Sequence, residues 1–486
     1  MIHRPHPVRG DSIDGDHDRG GFEMVTRAFL RAPGLPFDDR LDARTIQEAF
    51  ASREALFAQD RVFSTEVVLW AFLGQALSDG KQASCSAAVA QIAAQAHQAG
   101  LPAPCGDTGD YCRARSKLNL QALRDLVQLS ARRLDAGGSG GSGGWRYADR
   151  PAKLVDGFTF TMPDTPANQR DFPQSSTQAP GVGLPIARAV AVISLDTAAI
   201  HDLAVGPYKG KQTGEPALLR TMFDSFDPGD LAIFDRFHCS YMNLALLRER
   251  GVDVCTRLHH RRDIDWSATT PLQDGSWLAA WTRPACPPWM SLDTYERMPP
   301  TLTVRIVKVD VTDPSSRVEQ MTIVTTLTDP QAWSPAAIAQ LYGYRWEVEL
   351  DIRAIKSTLS LDHVRCKSPA MVRRELWVTL LGYNLVRGVA AEAARRADKP
   401  ARRMSFTLTC QEILTLWLLL TINAAANPAA LVDAALQRIA ARPIPNRPGR
   451  IEPRVVKRRP KPHKLMTEPR HTLRDKLRTQ YAKGTY

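Results

Sequence analysis

Between residue 41 and about residue 135, apolar side chains recur every three or four positions, in ARTIQEAFASREALFA, STEVVLWAFLGQALSDG and CSAAVAQIAAQAHQAG. That period marks helices with one buried face, and Ser64 stands where an N-cap is expected. The pattern stops at GGSGGSGG, residues 137–144, a flexible linker by composition. Beyond it the period falls to two: Leu154, Phe158, Phe160 and Met162 share one face of LVDGFTFTM, an expected strand. AVAVISLD (189–196) reads as a second strand and Leu218 to Phe223 as a helix. The turn Pro228-Gly229-Asp230 leads into the short strand LAIFD, which ends at Asp235. NLALLRERG, closed by Gly251, is an expected helix, and VDVCTRL another strand. Strands alternating with helices predict an α/β core.

From 263 to about 328 the rhythm changes. Trp266, Trp277, Trp281 and Trp289, many prolines and the β-branched runs TLTVRIVKVDV and EQMTIVTTL read as a β-rich insertion. Helices resume at Ser334-Pro335, an N-cap followed by proline at the first helical position, and continue to about 440. The expected organisation is a variable, disordered N-terminus (1–40), a helical N-terminal domain (41–136), a Gly/Ser linker (137–150), an α/β core in two parts (151–262 and 329–440) around the insertion (263–328), and a basic tail (441–486). The tail is rich in proline and arginine and is expected to stay extended until it binds.

Composition narrows the function. The chain has 486 residues, 44% hydrophobic and 23% charged, in keeping with a soluble globular protein. Its net charge of +12 is concentrated: residues 442–486 hold 14 Lys and Arg against 3 acidic residues, while the rest holds 49 against 48. A near-neutral body with a basic tail suits a polyanion. No apolar run reaches the ~18 residues of a membrane span; the longest, Ile413 to Ile422, reads as a buried helix. The first residues lack a signal-peptide core, so a cytoplasmic protein is expected. Eight cysteines without a CxxC pair, and no HExxH, disfavour zinc sites and suit reduced thiols.

The most informative segment is YGYRWEVELDIRAIK, Tyr342 to Lys356. At about 100° per residue, Tyr342, Arg345, Glu349, Arg353 and Lys356 fall in one polar stripe, and Leu341, Val348, Ile352, Ile355 and Leu359 in a separate apolar one. Helix geometry alone leaves two readings open: a solvated face with ordinary ion pairs, or a carboxylate gathered among cations for chemistry.

The spacing Tyr342-x2-Arg345-x3-Glu349-x6-Lys356, within LYGYRWEVELDIRAIKSTLSLDHVRCKSP, resembles the signature of bacterial insertion-sequence DDE transposases of the insertion-sequence-four type. The likeness covers about residues 45–470. It implies a ribonuclease-H-like catalytic core interrupted by a β-rich insertion, with a helical N-terminal domain and a basic C-terminal tail. It implies a catalytic, metal-binding triad: Asp156 in KLVDGFTFTMPDTPANQ, Asp235 in GDLAIFDRFHCSY, and Glu349. Taken singly, Asp156 could be a turn residue and Asp235 the end of a strand. One departure is Phe158, where relatives commonly carry a small hydroxyl residue.

The chemistry fits those residue types. Three carboxylates suit two hard Mg²⁺ ions (or Mn²⁺) that activate an attacking oxygen and stabilise a leaving one in phosphodiester cleavage and strand transfer. The resemblance also implies that Tyr342, Arg345 and Lys356 handle double-stranded DNA at the transposon ends. It further implies target DNA as a second substrate, a homodimer in the DNA complex, and a nucleoid-associated location. Lys209 and Lys211, in the failed P-loop GPYKGKQTGE, either touch DNA or belong to a solvated loop; Lys457, Arg458, Arg459 and Lys461 would add salt-sensitive affinity. His238, His259 and His260 lack metal-ligand spacing and read as structural. Trp277 or Trp281 is a candidate for stacking on a displaced base, with packing the competing role. Two other readings remain: a domesticated or decayed DNA-binding protein, and a metal-dependent nuclease that does not join strands.

Overall fold

The β-branched and alanine-rich runs after the linker build one sheet. In the computed structural model, residues 40–59, 61–98, 100, 102–137, 147, 149–311, 320–422, 427–445 and 464–482 are described. Residues 1–39, most of the 137–150 linker, and Lys457, Arg458, Arg459 and Lys461 lie outside them. The strands are β1 (Ala152–Thr161), β2 (Ile186–Ser194), β3 (Ile200–Pro207), β4 (Leu231–Phe234), β5 (Asp253–Arg257), β6 (Thr270–Pro271), β7 (Trp277–Thr282), β8 (Thr301–Asp310) and β9 (Gln320–Thr325). They form a nine-stranded sheet in the order β3-β2-β1-β4-β5-β9-β8-β7-β6. β1, β2 and β3 are an antiparallel meander, and β4 and β5 run parallel to β1. β9 returns antiparallel onto β5, pairing Cys255 with Thr325. The strands of the 263–328 segment therefore extend the core sheet. β3 had no counterpart in the sequence expectations: its first five residues, Ile200 to Ala204, are buried, so the chain there lacks a solvent-facing alternation.

Both faces of the sheet are covered. On one, Leu154, Phe158 and Phe160 join a core with helices α1 (Ala43–Ala51), α2 (Thr65–Leu77), α3 (Cys85–Gln98), α4 (Gly109–Arg115) and α5 (Leu120–Gly137). On the other, Val155, Val190 and Val192 pack with Leu219 and Leu244. The N-caps follow the sequence: Ser64 accepts from the Val67 N–H (3.4 Å) and Ser334 from that of Ala337 (3.2 Å). After α6 (Pro166–Asp171), α7 (Glu215–Arg220), α8 (Tyr241–Glu249) and α9 (Leu292–Arg297) come α10 (Pro335–Gly343), α11 (Glu347–Arg353) and the long α12 (Pro369–Arg396). Asn384 of α12 is a clamp. Its Oδ1 accepts from the Ile200 N–H (2.8 Å), and its Nδ2 donates to Ile200 O (2.9 Å) and Ser130 Oγ (3.0 Å), tying β3 and α5 to one buried side chain.

The last helices are α13 (Phe406–Ile422), α14 (Pro428–Ala441) and α15 (Arg470–Ala482). α15 corrects the expectation of a wholly extended tail. The prolines stop at Pro469, and the following HTLRDKLRTQYA is made largely of helix-tolerant residues, so it coils although none of its side chains is buried.

A candidate active site where the β1–β4 pairing ends

The parallel pairing of β1 and β4 ends at Val155↔Phe234, and the next residue on each strand is a carboxylate: Asp156 and Asp235. Both are partly buried. Asp156 Oδ1 accepts from the Gly157 N–H at 2.8 Å. Asp235 turns the chain into a 3₁₀ turn, Arg236–His238, and its carbonyl accepts from Thr256 Oγ1 at 3.2 Å.

α11 packs against β1 through the apolar stripe that the sequence shows. Leu341, Val348, Ile352, Ile355 and Leu359 are all buried. The winding is not that of one ideal helix. Between α10 and α11 lies a 3₁₀ turn, Tyr344–Trp346, and α11 runs into a π-helical turn, Ala354–Thr358. The side facing away from the core carries Arg345 and Glu349. Arg345 Nη1 stands 3.8 Å from Asp156 Oδ2, and Nη2 donates to Glu349 Oε1 at 3.4 Å. The Arg345 side chain is 10% exposed and that of Glu349 46%, so the carboxylate is the group that reaches solvent. The Arg345 guanidinium also lies over the Trp346 ring, 4.3 Å from its centroid.

The opposite side of α11 is locked by charge. Asp351 is buried, with Oδ1 accepting from Arg387 Nη2 (3.1 Å) and Oδ2 from Arg402 Nη2 (2.7 Å). Arg402 also reaches Glu347 (3.6 Å) and donates to the carbonyls of Ser194 (2.9 Å) and Leu195 at the end of β2. Glu347 and Asp351 flank Glu349, so this cluster sets the rotation and height of the helix. Sequence reading missed it, because Arg387 and Arg402 are distant in the chain and look like surface cations.

The outer group is electrostatically unbalanced. Burial pushes the Asp156 carboxyl up to about 6; the charges of Glu215 and Glu349 add to this, while the Gly157 N–H and Arg345 oppose it. Glu215, the first residue of α7, is itself raised by burial and by Asp235, against the opposing charge of Arg188 at 4.0 Å. The Tyr342 phenol is buried and pushed up, with Asp235 contributing and Arg345 and Arg257 opposing. Glu215 was not among the sequence candidates. It closes GPYKGKQTGE, and only its placement at the head of a short helix after β3 singles it out.

Other candidates stand apart from this group. Lys356 lies half-buried in the π-helical turn. Lys209 and Lys211 are exposed in the loop between β3 and α7. Trp281 is buried beneath the Arg262 guanidinium (4.0 Å), and Trp277 packs edge-on against Trp266 under Lys308, so both serve packing here. His238 is buried against Phe234, and burial brings its imidazole down to about 4. Phe158 is buried and tilted against Phe160, so its ring packs in the core two positions after Asp156.

The donor set is all carboxylate oxygen, the chemistry of a hard divalent cation. Among the described residues no three of His, Cys, Asp and Glu are gathered closely enough to enclose one; Asp156 and Glu349 face the Arg345 guanidinium between them. The excess of negative charge at Asp156 is what a cation would relieve, and in that sense the residues fit.

The transposase DDE domain family matches residues 147–385, a span that contains Asp156, Asp235 and Glu349. Transposase InsG for insertion sequence element IS4 of Escherichia coli (strain K12) is 24% identical over 463 residues, covering 91% of this chain and 97% of that protein. A cryo-EM structure of a piggyBac transposase synaptic complex with hairpin DNA is similar at a TM-score of 0.40 and 9% identity, over 87% of this chain and 85% of that one, a likeness too loose to argue from. With the family match on the stretch that holds the site, and the likeness to InsG along almost its whole length, the chain belongs to the DDE transposases of the insertion-sequence-four type, enzymes that cut DNA and transfer its strands.

Proposed function

We propose that Asp156, Asp235 and Glu349 are the catalytic carboxylates of this insertion-sequence transposase and that they hold divalent metal, Mg²⁺ or Mn²⁺, as a pair of ions. The observation that carries this reading is the end of the β1–β4 pairing: Asp156 and Asp235 each follow the last residue of that register, and Arg345 links Asp156 to Glu349 on α11. A sheet in which β1–β3 are antiparallel and β4 and β5 parallel to β1, in the order β3-β2-β1-β4-β5, supports a ribonuclease-H-like core. On this reading 151–262 and 329–440 form the core, 263–328 the insertion and 41–136 an end-binding domain.

The bound metal supplies neutralisation of the phosphodiester and a place for the attacking oxygen. The residues do the rest. The three carboxylates fix where the reacting phosphate sits. Arg345, with its planar fork, grips a phosphate next to the scissile bond once that phosphate competes for it with Asp156 and Glu349. Tyr342 stiffens the floor of the site, and Lys356, Lys209 and Lys211 add charge along the DNA path. Lys457, Arg458, Arg459 and Lys461 strengthen duplex binding without reading sequence. The partners are the transposon ends and target DNA, engaged by two copies of the chain at the nucleoid.

The test is single replacement: Asp156→Asn, Asp235→Asn and Glu349→Gln. Each is expected to lower cleavage of transposon-end DNA by about a thousandfold or more, with binding to the same DNA retained in a gel-shift assay. A variant that cuts at near the unmodified rate removes that residue from the triad.

A further inference from the structure

Glu215 is the acidic group near the strand ends that the three-carboxylate reading leaves without a task. The route that brings it there is specific. β3 ends at Pro207, the loop through Lys209 and Lys211 turns back over the sheet, and α7 begins with Glu215 itself. Along β1 side chains alternate between faces, so Asp156 leans toward α11 while the next position faces α7. That next position is Gly157, in the interior of the strand, where a glycine weakens the sheet and calls for a local reason. The reason is Glu215: a methyl group added at Gly157 would lie 2.5 Å from its Cδ and 2.7 Å from its Oε1. The missing side chain is thus a notch in the strand, filled by a carboxylate from the other side of the sheet. Asp156 and Asp235 lie within electrostatic reach of Glu215, while Arg188, its one ion-pair partner among the described residues, is no closer than 4.0 Å. A helix-capping role does not account for this: Gly214 caps the helix without a side-chain bond, and the Glu215 carboxylate meets the β1 backbone at Gly157.

We propose that Glu215 is a fourth carboxylate of the catalytic centre, held by the Gly157 notch as a ligand to the divalent cation between Asp156 and Asp235, directly or through a bound water. The inference rests on the assignment of those two residues as metal ligands. It makes the Asp156-Gly157 pair a unit: the aspartate supplies one ligand, and the glycine makes room for another. It also gives Arg188 the job of steadying Glu215 from behind at its long ion-pair distance.

The test uses the full chain. Mn²⁺ binding is measured by calorimetry without DNA, and cleavage and binding of transposon-end DNA are measured separately. Glu215→Gln, nearly isosteric, is expected to weaken Mn²⁺ binding and slow cleavage by about 10- to 100-fold while DNA affinity stays the same. Gly157→Ala is expected to reproduce that loss by displacing Glu215. Gly157→Ala in a Glu215→Ala background should then add little, because the two changes act on one feature; it should also fold, since the clash is gone. Asp156→Asn is the control for the underlying assignment. If Asp156→Asn abolishes Mn²⁺ binding and cleavage but Glu215→Gln keeps both within twofold of the unmodified protein, Glu215 is not a ligand and the triad stands. If Glu215→Gln slows cleavage with Mn²⁺ affinity unchanged, the metal role is overturned as well. If Asp156→Asn itself binds Mn²⁺ and cuts normally, the fault lies in the assignment on which the inference rests.

Discussion

Helix α11 carries an ion cluster on each side, and the two are built on different principles. On the inner side, Asp351 and Glu347 meet Arg387 and Arg402; charges match, and the groups of Asp351 and Arg402 are almost wholly buried. On the outer side, Asp156 and Glu349 share Arg345, Glu215 has a distant Arg188, and Asp235 has no ion-pair partner among the described residues. Burial there raises the Asp156 carboxyl to about 6 where the inner cluster keeps its charges paired. A balanced cluster holds two elements together and needs nothing further. An unbalanced one stores a deficit of positive charge that the protein does not fill, and a substrate or cation with the missing charge binds where the deficit lies.

The difference breaks most visibly under substitution. Asp351→Ala strands two buried guanidinium groups and is expected to cost about 3–5 kcal/mol of folding stability, read as a lowered midpoint in urea. A change below about 1 kcal/mol would mean that the inner cluster is no anchor. Arg345→Ala should instead leave the midpoint nearly unchanged and cut processing of uncut transposon ends by roughly a hundredfold, with joining of pre-cut ends less affected; Arg345→Lys should also be impaired, since a point charge does not replace a fork. Equal processing by wild type and Arg345→Lys would reduce Arg345 to a generic cation.

A subtler effect is expected for Asp156→Asn in metal-free protein. The folded carboxyl is raised above its unfolded value, so folding takes up a proton between about pH 4 and 6. Stability from this group is full at low pH and is lost as pH rises through the folded value. The Asn variant should therefore gain on wild type by on the order of 2 kcal/mol at pH 7.5 and by little at pH 4, checked by thermal melts at both. The smallest effect concerns cations with no stake in either cluster. Truncation after Arg442 should make log K for duplex DNA less steep in log[salt] by about 0.9 per lost phosphate contact, and an unchanged slope would place the tail off the DNA.

Much of this arrangement was legible in the sequence because it depends on local pattern. The apolar stripe Leu341-Val348-Ile352-Ile355-Leu359 is buried as its spacing requires, and Ser64 and Ser334 cap their helices. Asp156 stands within the strand that alternation marks, and Asp235 directly after the short apolar strand that follows the Pro228-Gly229-Asp230 turn. What escaped was set by tertiary contact. The tightening at Tyr344–Trp346 and loosening at Ala354–Thr358 leave no trace in a wheel drawn at one angle per residue. Asp351 looks like any exposed acid until Arg387 and Arg402 arrive from other helices. Gly157 falls inside the expected strand LVDGFTFTM, as it does inside β1, but nothing local shows that Glu215 packs on it. The tail helix was hidden by the prolines before it.

The return of β9 onto β5 has a consequence for how such a chain can diverge. The 263–328 excursion departs after β5, and its last strand, β9, returns to pair with β5, so its two ends are anchored side by side. Whatever lies between is a detour with a fixed entrance and exit. Residues can be gained or lost along it over generations without moving the second carboxylate relative to the third. The number of residues between Asp235 and Glu349 is therefore free to drift among kin, while the short spacing from Tyr342 to Lys356, wound through successive helical turns of different pitch, is not.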